Sequence, residues 1–457
     1  MTAASASVTF GPDVADQDRV RLAHPLDTDV CVIGAGLAGL SIALEAAKLG
    51  ASVAVLEGRH VGWNASGHQL GTVMPGFGLP VADLIARVGL EDAREMWALS
   101  QQGAEAVRAR ATGDAIPDLA FSEGALEVSN VDVGDKLIAR LQMLNEDFDT
   151  VAEGWQIERV REALKTQRYF HGVHYPKAFQ IDARKYLMGL AALAKQAGVR
   201  IFEDTPAMSL DAAGVMKRIV TPSAQLRAQH VVLAGNVHLG SPAQRLSDTL
   251  LPIWRYAGVT EPLGERLAEA IAFQGSVSDS DGVDHFRVVD GDRLMWSSPE
   301  TTWAVKPERF ARKIARQIRA VFPQLGKVAV TETFGGAMGQ TVHGMPQIGQ
   351  LRPGLWVASG FGHQGLNTTA MAGQLIARGM IARDDRTRLF APFELVWAGG
   401  RLGRIVGHGV WVWQRQVSAL EGRLARYRER AGEREQIREA RLAEANARAE
   451  ARGPRSG

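Results

Sequence analysis

The chain has 457 residues, of which 46% are apolar and 22% charged, the proportions of a globular protein that is long enough for more than one domain. Its formal charge is +2, but residues 415–457 hold eleven Arg and seven Glu, so the preceding residues carry a net −2. This balance excludes a general nucleic-acid-binding surface on the body. No apolar run of about 18 residues is present, which argues against a membrane-spanning helix.

Cysteine usage and the N-terminal residues indicate the compartment. Cys31 is the only cysteine, so neither an intrachain disulfide nor a cysteine-based metal site can form, and we predict no metal site. Residues 1–25, which we interpret as an N-terminal arm, lack the basic and apolar segments of a secretory signal. We therefore expect a cytoplasmic enzyme.

The segment from Asp29 to Gly58 predicts a strand, a helix and a second strand. Asp29–Ile33 is a short, β-branched apolar run that ends at glycine, as buried parallel strands do. Leu37–Leu49 has apolar residues at helical spacing and is followed by Gly50, a common helix terminator. Ser52–Leu56 predicts the second strand.

The turn between the first strand and the helix fits G-x-G-x-x-G, with Gly34, Gly36 and Gly39 at the glycine positions. Such a turn lets a pyrophosphate approach the backbone at a helix N-terminus, and an acid after the second strand accepts hydrogen bonds from a ribose. Glu57 is that acid, and it argues against the 2′-phosphate of NADP. The predicted dinucleotide contacts in this unit are Gly34, Gly36, Leu37, Ala38, Gly39, Glu57 and Arg59.

A loop rich in small residues follows at once, VGWNASGHQLG from Val61 to Gly71. Three later segments complete a pattern. They are HYPKAFQIDARKYLMGLAALAKQAGVRIFEDTPAMSL (174–210), HVVLAGN (230–236) and FGGAMGQTVHGMPQIGQLRPGLWVASGFGHQGLNTTAMAGQLIARGM (334–380). In this order the segments resemble the FAD-dependent D-amino-acid-oxidase-like superfamily, and within it the γ-glutamylputrescine oxidase-like branch of amine oxidoreductases.

The resemblance implies an α/β fold with FAD as cofactor. The chain would form two domains, so that the whole is of the α+β two-domain type. A Rossmann-like, glutathione-reductase-like FAD-binding domain would be interleaved with an antiparallel-sheet substrate domain, and a helical C-terminal extension would follow. The implied segments are 26–80, 165–245 and 329–385 for FAD binding, 81–164 and 246–328 for the substrate domain, and 386–457 for the extension. The substrate cleft would lie at the junction of the two domains.

The resemblance also assigns further cofactor contacts. Ala207 would hold the adenine through its backbone, and Gly235 would return the chain to the cofactor. The loop would contribute Ser66, Gly67 and His68. The start of the last helix would face the flavin with its unpaired N–H groups, which suit negative charge at the ring. The residues at that helix start are Gly365, Leu366, Asn367 and Thr368.

His68 stands where this branch usually has Arg. In dimethylglycine-dehydrogenase-like relatives, a histidine nearby bonds covalently to the flavin. A histidyl–FAD linkage is therefore one expectation for His68, a non-covalent polar contact with FAD is another, and a structural role is the third.

The substrate side departs from the amino-acid-oxidising branches. Met338 occupies the position where those branches carry an Arg for the substrate carboxylate, although Arg255 or Arg287 could replace it. A primary or secondary amine fits better, either γ-glutamylputrescine-like or N-substituted. Hydride transfer from the carbon beside the nitrogen to flavin N5 would give an imine, which hydrolyses to an aldehyde and an amine.

By the same resemblance, His363 and Gln364 lie in the loop that faces the flavin, and His343 is a weaker catalytic candidate. Oxygen or another electron acceptor, such as a quinone, would reoxidise the flavin. The alternatives are an FAD-dependent D-amino-acid or 2-hydroxy-acid dehydrogenase and, from another class, a non-catalytic flavin-binding scaffold.

The C-terminal extension carries apolar residues near helical periodicity, with Arg on its other faces. These apolar positions are Leu402, Ile405, Val406, Val410, Trp413, Val417, Leu420 and Leu424. We expect this helix to pack on the body or on another subunit of a homo-oligomer. Docking on a membrane surface, which would make the protein peripheral, is the alternative.

Overall fold

The computed structural model describes residues 19–279 and 284–450, so most of the predicted N-terminal arm lies outside the described residues. The strands are β1 (Leu26–Ile33), β2 (Val53–Leu56), β3 (Thr72–Val73), β4 (Phe121–Val128), β5 (Glu153–Trp155), β6 (Gly172–Ile181), β7 (Arg200–Phe202), β8 (Ser209–Asp211), β9 (Lys217–Val220), β10 (Gln225–Leu233), β11 (Leu251–Thr260), β12 (Ser276–Asp279), β13 (His285–Val289), β14 (Arg293–Ser297), β15 (Val330–Gln340), β16 (Gln347–Arg352) and β17 (Leu355–Ser359). The helices are α1 (Leu37–Lys48), α2 (Val81–Val88), α3 (Leu90–Thr112), α4 (Gly134–Asp147), α5 (Ile157–Leu164), α6 (Ala183–Gln196), α7 (Gln244–Ser247), α8 (Glu265–Ala268), α9 (Ala311–Val321), α10 (Gly365–Ile381) and α11 (Gly400–Glu450).

The first sheet is built around the N-terminal strand. Its order is β16-β17-β10-β1-β2-β7, and β17, β10, β1, β2 and β7 run parallel to one another. All four residues of β2 and the last four of β1 are buried, as expected for parallel strands covered on both faces. The short strands β8 and β9 form an antiparallel extension on β10.

Close helix packing joins the N-terminal and C-terminal parts of this domain. A Cβ on Gly373 of α10 would lie 2.8 Å from the Cβ of Ser41 on α1, and a Cβ on Gly103 of α3 would overlap the carbonyl oxygen of Asn367. These glycines let α1, α3 and α10 approach at backbone distance. The residues after the first strand and those at the end of the domain therefore form one core.

The second sheet is largely antiparallel, with the order β15-β11-β14-β13-β12-β4-β6-β3 and β5 beside β6. Only the β12–β4 pair is parallel among the pairings of the described residues in this sheet. A separate apolar cluster fills it against α9, with Trp296, Phe286 and Phe322 fully buried. The two sheets confirm the predicted fold class.

The predicted domain boundaries stay a prediction. Strands β6 and β15 lie within the segments expected for FAD binding, but they hydrogen bond in the antiparallel sheet. Conversely, α3 lies in a segment expected for the substrate domain and packs on α10. The physical reason is that long strands and helices cross from one domain to the other, so that one element serves both.

The helical C-terminal extension is confirmed as α11, a single helix of 51 residues. It contacts the body, and Leu402, Ile405, Val406 and Trp413 are each at least 58% exposed, so packing of these apolar side chains on another subunit stays a prediction. Residues with small or polar side chains form the contacting face instead. Within the described residues, no helix has both the length and the apolarity needed to cross a bilayer.

Candidate functional site

The first glycine of the turn between β1 and α1 has a backbone conformation that residues other than glycine rarely adopt. Gly34 has φ +112°, and a Cβ there would lie 2.8 Å from the carbonyl oxygen of Ala234 and 2.9 Å from the nitrogen of Gly235. A Cβ on Gly39 would overlap the Gly34 carbonyl oxygen. The turn between β1 and α1 is thus held against the end of β10, where Gly34 and Gly235 meet.

The N-terminus of α1 forms a cradle of backbone N–H groups. Gly36 is the N-cap and has no side chain of its own to cap the helix. The Ser66 hydroxyl accepts a hydrogen bond from the Leu37 N–H at 3.1 Å, and a Cβ on Gly36 would lie 2.9 Å from that hydroxyl. Ala38 continues the first turn of the helix. Backbone N–H groups and a positive helix end suit an anionic diphosphate.

Glu57 lies at the end of β2 and is buried. Its carboxylate accepts hydrogen bonds from the Ala35 N–H at 2.9 Å, the Arg59 N–H at 2.9 Å and the Trp63 indole N–H at 3.0 Å. The Arg59 guanidinium also lies over the Trp63 ring, 4.4 Å from its centroid. Since a carboxylate has about four acceptor sites, the carboxylate is held in place with capacity for one further donor.

The loop from Val61 to Gly71 is pressed against β15. The Asn64 side chain accepts from the Ala337 N–H at 2.8 Å and donates to the Ala337 carbonyl at 3.1 Å, which mimics a strand pairing. A Cβ on Gly336 would lie 2.6 Å from the Cα of Ala65. A Cβ on Gly67 would overlap the carbonyl oxygen of Gly62. The small residues of the loop therefore let it lie at backbone distance from β15, and the Asn64 side chain ties it there.

His68 ends the short 3-10 turn of this loop. Its Nδ1 lies 2.9 Å from the Asn64 carbonyl oxygen, and because a carbonyl only accepts, Nδ1 carries the proton. The His68 ring is 6.1 Å from the ring of Phe334 on β15. The imidazole is therefore oriented by its own loop, with Nε2 as the nitrogen that carries the lone pair.

Ala207 and Gly235, the two cofactor contacts predicted from later segments of the chain, lie near the cradle at the start of α1. Ala207 lies between Thr205, whose N–H donates to the Glu57 carbonyl, and Met208, whose N–H donates to Val220. After Gly235, the Oδ1 of Asn236 is a buried acceptor with no hydrogen-bond partner in the described part of the chain. This acceptor lies against Gly339 of β15, and it is the cradle at the start of α1 that fits a bound dinucleotide.

The start of α10 lies beside the loop from Val61 to Gly71. Gln364 is the N-cap without a side-chain cap, and its carbonyl accepts from Thr368. A Cβ on Gly365 would lie 3.2 Å from the Gln69 amide nitrogen, and Asn367 donates to the Gly76 carbonyl at 3.0 Å. Leu366 and Thr368 are buried with them. This helix N-terminus thus lies against the loop that carries His68, and its contact with the flavin stays a prediction.

Charged side chains converge beside this helix start. His363 Nε2 is 2.9 Å from the Glu300 carboxylate, and the Arg255 guanidinium is 3.2 Å from His363 Nδ1 and 3.7 Å from Glu300. Arg255 can only donate, so the proton of His363 lies on Nε2 and is donated to Glu300. Burial raises the pKa of Glu300, but the hydrogen bond from His363 and the positive charges of Arg255 and Arg415 outweigh it and lower that pKa to about 2.

Strand β13 adds two more side chains to this cluster. His285 is hydrogen bonded to the Thr72 hydroxyl at 3.1 Å, and burial together with the charges of Arg255 and Arg287 keeps its pKa well below the ordinary value. Arg287 is 4% exposed, and burial lowers its pKa to about 10, although the negative charge of Asp182 acts to raise it. The imidazole of His285 is therefore neutral, while the guanidinium of Arg287 stays charged at neutral pH.

His343 has a different environment. Its Nδ1 accepts from the Met345 N–H at 3.1 Å, and its Nε2 lies 3.2 Å from the Glu394 carbonyl. Phe393 packs on the ring at 5.5 Å, and burial lowers the pKa of His343. These contacts tie the turn 341–345 to the segment that precedes α11, and they give His343 a structural role.

Sequence reasoning missed Glu300, His285 and Trp63. Glu300 follows β14 in the segment SSPETT, where no spacing distinguishes it from a surface carboxylate. His285 lies in an ordinary strand pattern. Trp63 lies in the loop Val61 to Gly71, six residues after Glu57. This short spacing could have indicated a contact between the indole and the Glu57 carboxylate. Among residues 19–279 and 284–450, no three His, Cys, Asp or Glu side chains are grouped to hold a metal.

Comparisons with known proteins agree with this geometry. Residues 29–378 match the protein family described as "FAD dependent oxidoreductase". The chain is 27% identical to "Probable oxidoreductase OrdL" of Haemophilus influenzae over 83% of this chain and 88% of that protein. It is 26% identical to the γ-glutamylputrescine oxidoreductase of Escherichia coli over 84% of this chain and 91% of that protein.

Solved structures share the fold. Glycine oxidase from Geobacillus kaustophilus superposes with a TM-score of 0.65 at 21% identity, covering 81% of this chain and 99% of that one. The L-amino acid deaminase from Proteus vulgaris also has a TM-score of 0.65, at 18% identity, covering 83% and 99% of the two chains. At these identities the likeness concerns the fold alone.

Proposed function

The chain belongs to the FAD-dependent oxidoreductase family, and we propose that it oxidises the C–N bond of a primary or secondary amine. The observation that carries the proposal is the position of Glu300, an ionised and 15% exposed carboxylate beside the helix start that faces the flavin loop. A carboxylate held there can accept hydrogen bonds from an ammonium group of a bound amine. Met338, in turn, cannot bind a carboxylate.

The pairing of Glu300 with Arg255 supports an amine that also carries a distant polar group. Arg255 can bind a carboxylate with its planar fork, while Glu300 can accept hydrogen bonds from an ammonium. A γ-glutamyl amine has both groups at the end remote from its reacting amine. The relative from Escherichia coli is named for such a substrate, and we propose the same class here.

The chain contributes binding and orientation to this reaction. Bound FAD supplies the two-electron acceptor for the hydride that leaves the carbon beside the nitrogen, and water then hydrolyses the imine to an aldehyde and an amine. His363 donates to Glu300 and accepts from Arg255, so we propose that it is a positioning residue for this pair. Gln364 remains a candidate for a hydrogen bond to the amine. Oxygen or a quinone would complete the cycle.

Anaerobic reduction of the holoenzyme by a panel of compounds tests the proposal. We expect amines, and γ-glutamyl amines most strongly, to bleach the visible flavin band, while D-amino acids and 2-hydroxy acids leave it unchanged. Bleaching by 2-hydroxy acids alone would favour the dehydrogenase alternative, and no bleaching by any compound would favour a flavin-binding scaffold. Repeating the reduction with oxygen or a soluble quinone identifies the acceptor.

We further propose that His68, whose Nδ1 donates to the Asn64 carbonyl, makes a non-covalent polar contact with the flavin through Nε2. Acid precipitation of the purified protein should therefore release all yellow colour into the supernatant. A matched His68→Asn variant should release the same fraction. Colour retained in the wild-type pellet and lost from the variant pellet would instead establish a histidyl–FAD linkage.

A further inference from the structure

The apolar residues of α11 form one exposed stripe. In the first half of the helix, the exposed fractions are 71% for Leu402, 62% for Val406, 70% for Trp413, 57% for Leu420 and 71% for Tyr427. Spacings of three, four and seven residues place such side chains on one side of a helix. From Leu402 to Tyr427 the stripe is about 38 Å long at 1.5 Å per residue.

Contacts on the opposite side fix the rotation of the helix. Arg415 donates to the Glu300 carbonyl at 3.0 Å, and the Arg404 carbonyl accepts from Thr302 at 3.2 Å. Glu429 pairs with Arg161 at 2.7 Å. Because these residues lie about half a turn from the apolar stripe, the stripe must face away from the body.

Small residues complete the contacting side. A Cβ on Gly407 would lie 3.2 Å from a methyl of Leu251, and one on Gly422 would lie 3.3 Å from the Asn130 carbonyl. Ser418 and Ala419 lie on the same side of the helix. A rotation that buried the bulky apolar residues would replace these small residues with Trp413 and Leu420. Such bulky side chains could not pack at this distance.

The charged residues beside the stripe favour an anionic bilayer over a second copy of the chain as its partner. Arg401, Arg423 and Arg428 are exposed along the stripe against one exposed Glu, Glu421, a net charge of +2, whereas Arg404 and Arg415 contact the body. A second copy would bring the same basic helix to the interface, and like charges at that distance repel. An anionic bilayer instead attracts the Arg side chains and takes up the apolar ones. Trp397, Trp413 and Tyr427 are exposed, and aromatic residues of this type favour the membrane interface.

We propose that this face of α11 docks the protein on the surface of an anionic bilayer. The helix would lie in the plane of the interface, with the stripe from Leu402 to Tyr427 inserted among the lipids. The stripe ends at Tyr427, since Leu442 is the only large apolar side chain that is strongly exposed in the described part of the helix beyond it. The docking is independent of the substrate proposed above.

Vesicle co-sedimentation of the purified holoenzyme tests this docking. We expect the wild type to sediment with vesicles of phosphatidylcholine and phosphatidylglycerol, and to bind phosphatidylcholine vesicles at least about tenfold less. The triple variant Trp413→Gln/Leu420→Gln/Leu424→Gln should lose at least about tenfold of the binding. High salt should weaken wild-type binding, because the attraction is partly electrostatic.

A matched control replaces exposed apolar residues elsewhere. Ile138→Gln/Val215→Gln changes residues that are 56% and 79% exposed and should bind the vesicles as the wild type does. Equal flavin content and far-ultraviolet circular dichroism would show that all variants are folded. Wild-type protein that stays in the supernatant overturns the proposal, and so does a triple variant that still binds. A wild-type dimer that becomes a monomer in the triple variant, without vesicle binding, would assign the stripe to a second copy.

Discussion

Replacing Gly34 with alanine should yield a protein that purifies without flavin. The new Cβ would meet the backbone of Ala234 and Gly235 at 2.8–2.9 Å, and φ of +112° would be strained for alanine. Relieving both requires the turn to move away from β10, which disrupts the cradle at the start of α1. We expect at least a 100-fold loss of FAD affinity, or about 2.7 kcal/mol.

Flavin content after gel filtration, from the ratio of visible to ultraviolet absorbance, measures this effect. Gly58→Ala is the matched control, because its Cβ would make an ordinary contact with Pro206 at 3.6 Å and Gly58 is exposed. This control should keep its flavin. Far-ultraviolet circular dichroism separates loss of cofactor from loss of fold. A fully yellow Gly34→Ala protein would show that the turn does not form the cradle.

Glu300→Gln should lower kcat/KM for the amine by about 100-fold while leaving the flavin content unchanged, because it removes the carboxylate that we propose accepts hydrogen bonds from an ammonium. The amide keeps the shape of the carboxylate but leaves Arg255 without its partner anion. Although burial raises it, the pKa of Glu300 is lowered to about 2 by the hydrogen bond from His363 and the charge of Arg255, so the wild-type carboxylate is ionised throughout the neutral range. The ratio of wild-type to variant activity should therefore not change with pH there.

Steady-state kinetics with a series of amines measures this loss, and the loss should appear mainly in KM if Glu300 binds the substrate equally in its ground and transition states. Glu332→Gln is the matched control, since Glu332 also pairs with an arginine, Arg293, on the antiparallel sheet. It should retain wild-type kcat/KM. Equal losses in the two variants would indicate a general effect of ion pairs on the sheet, and an unchanged Glu300→Gln enzyme would remove Glu300 from the substrate site.

The cofactor cradle was predictable because its parts are close in sequence. Gly34, Gly36, Gly39 and Glu57 belong to one strand, helix and strand, and the spacing of such a unit places them together whatever surrounds it. The position of Ser66 against the Leu37 N–H follows from the short loop after that unit. The family resemblance then indicated the order of the remaining segments.

The charged cleft was not predictable in the same way. Arg255 lies on β11, Glu300 in the segment after β14, and His363 before α10, so more than one hundred residues separate Arg255 from His363. Their meeting depends on which strands pair and in which register, and no local spacing encodes that. The sequence named Arg255 and His363 separately, but Glu300 had no signal.

For the C-terminal helix, too, one part was predictable from the sequence and another was not. Its helical character and its apolar stripe follow from the periodicity of the sequence alone, since side chains three and four residues apart share a face. Which face meets the body depends on contacts with distant residues, among them Thr302, Arg161 and Leu251. The sequence by itself thus determined the local units and their chemistry. Only the tertiary structure decided which units meet and which surfaces stay exposed, because these outcomes depend on packing between residues far apart in the chain.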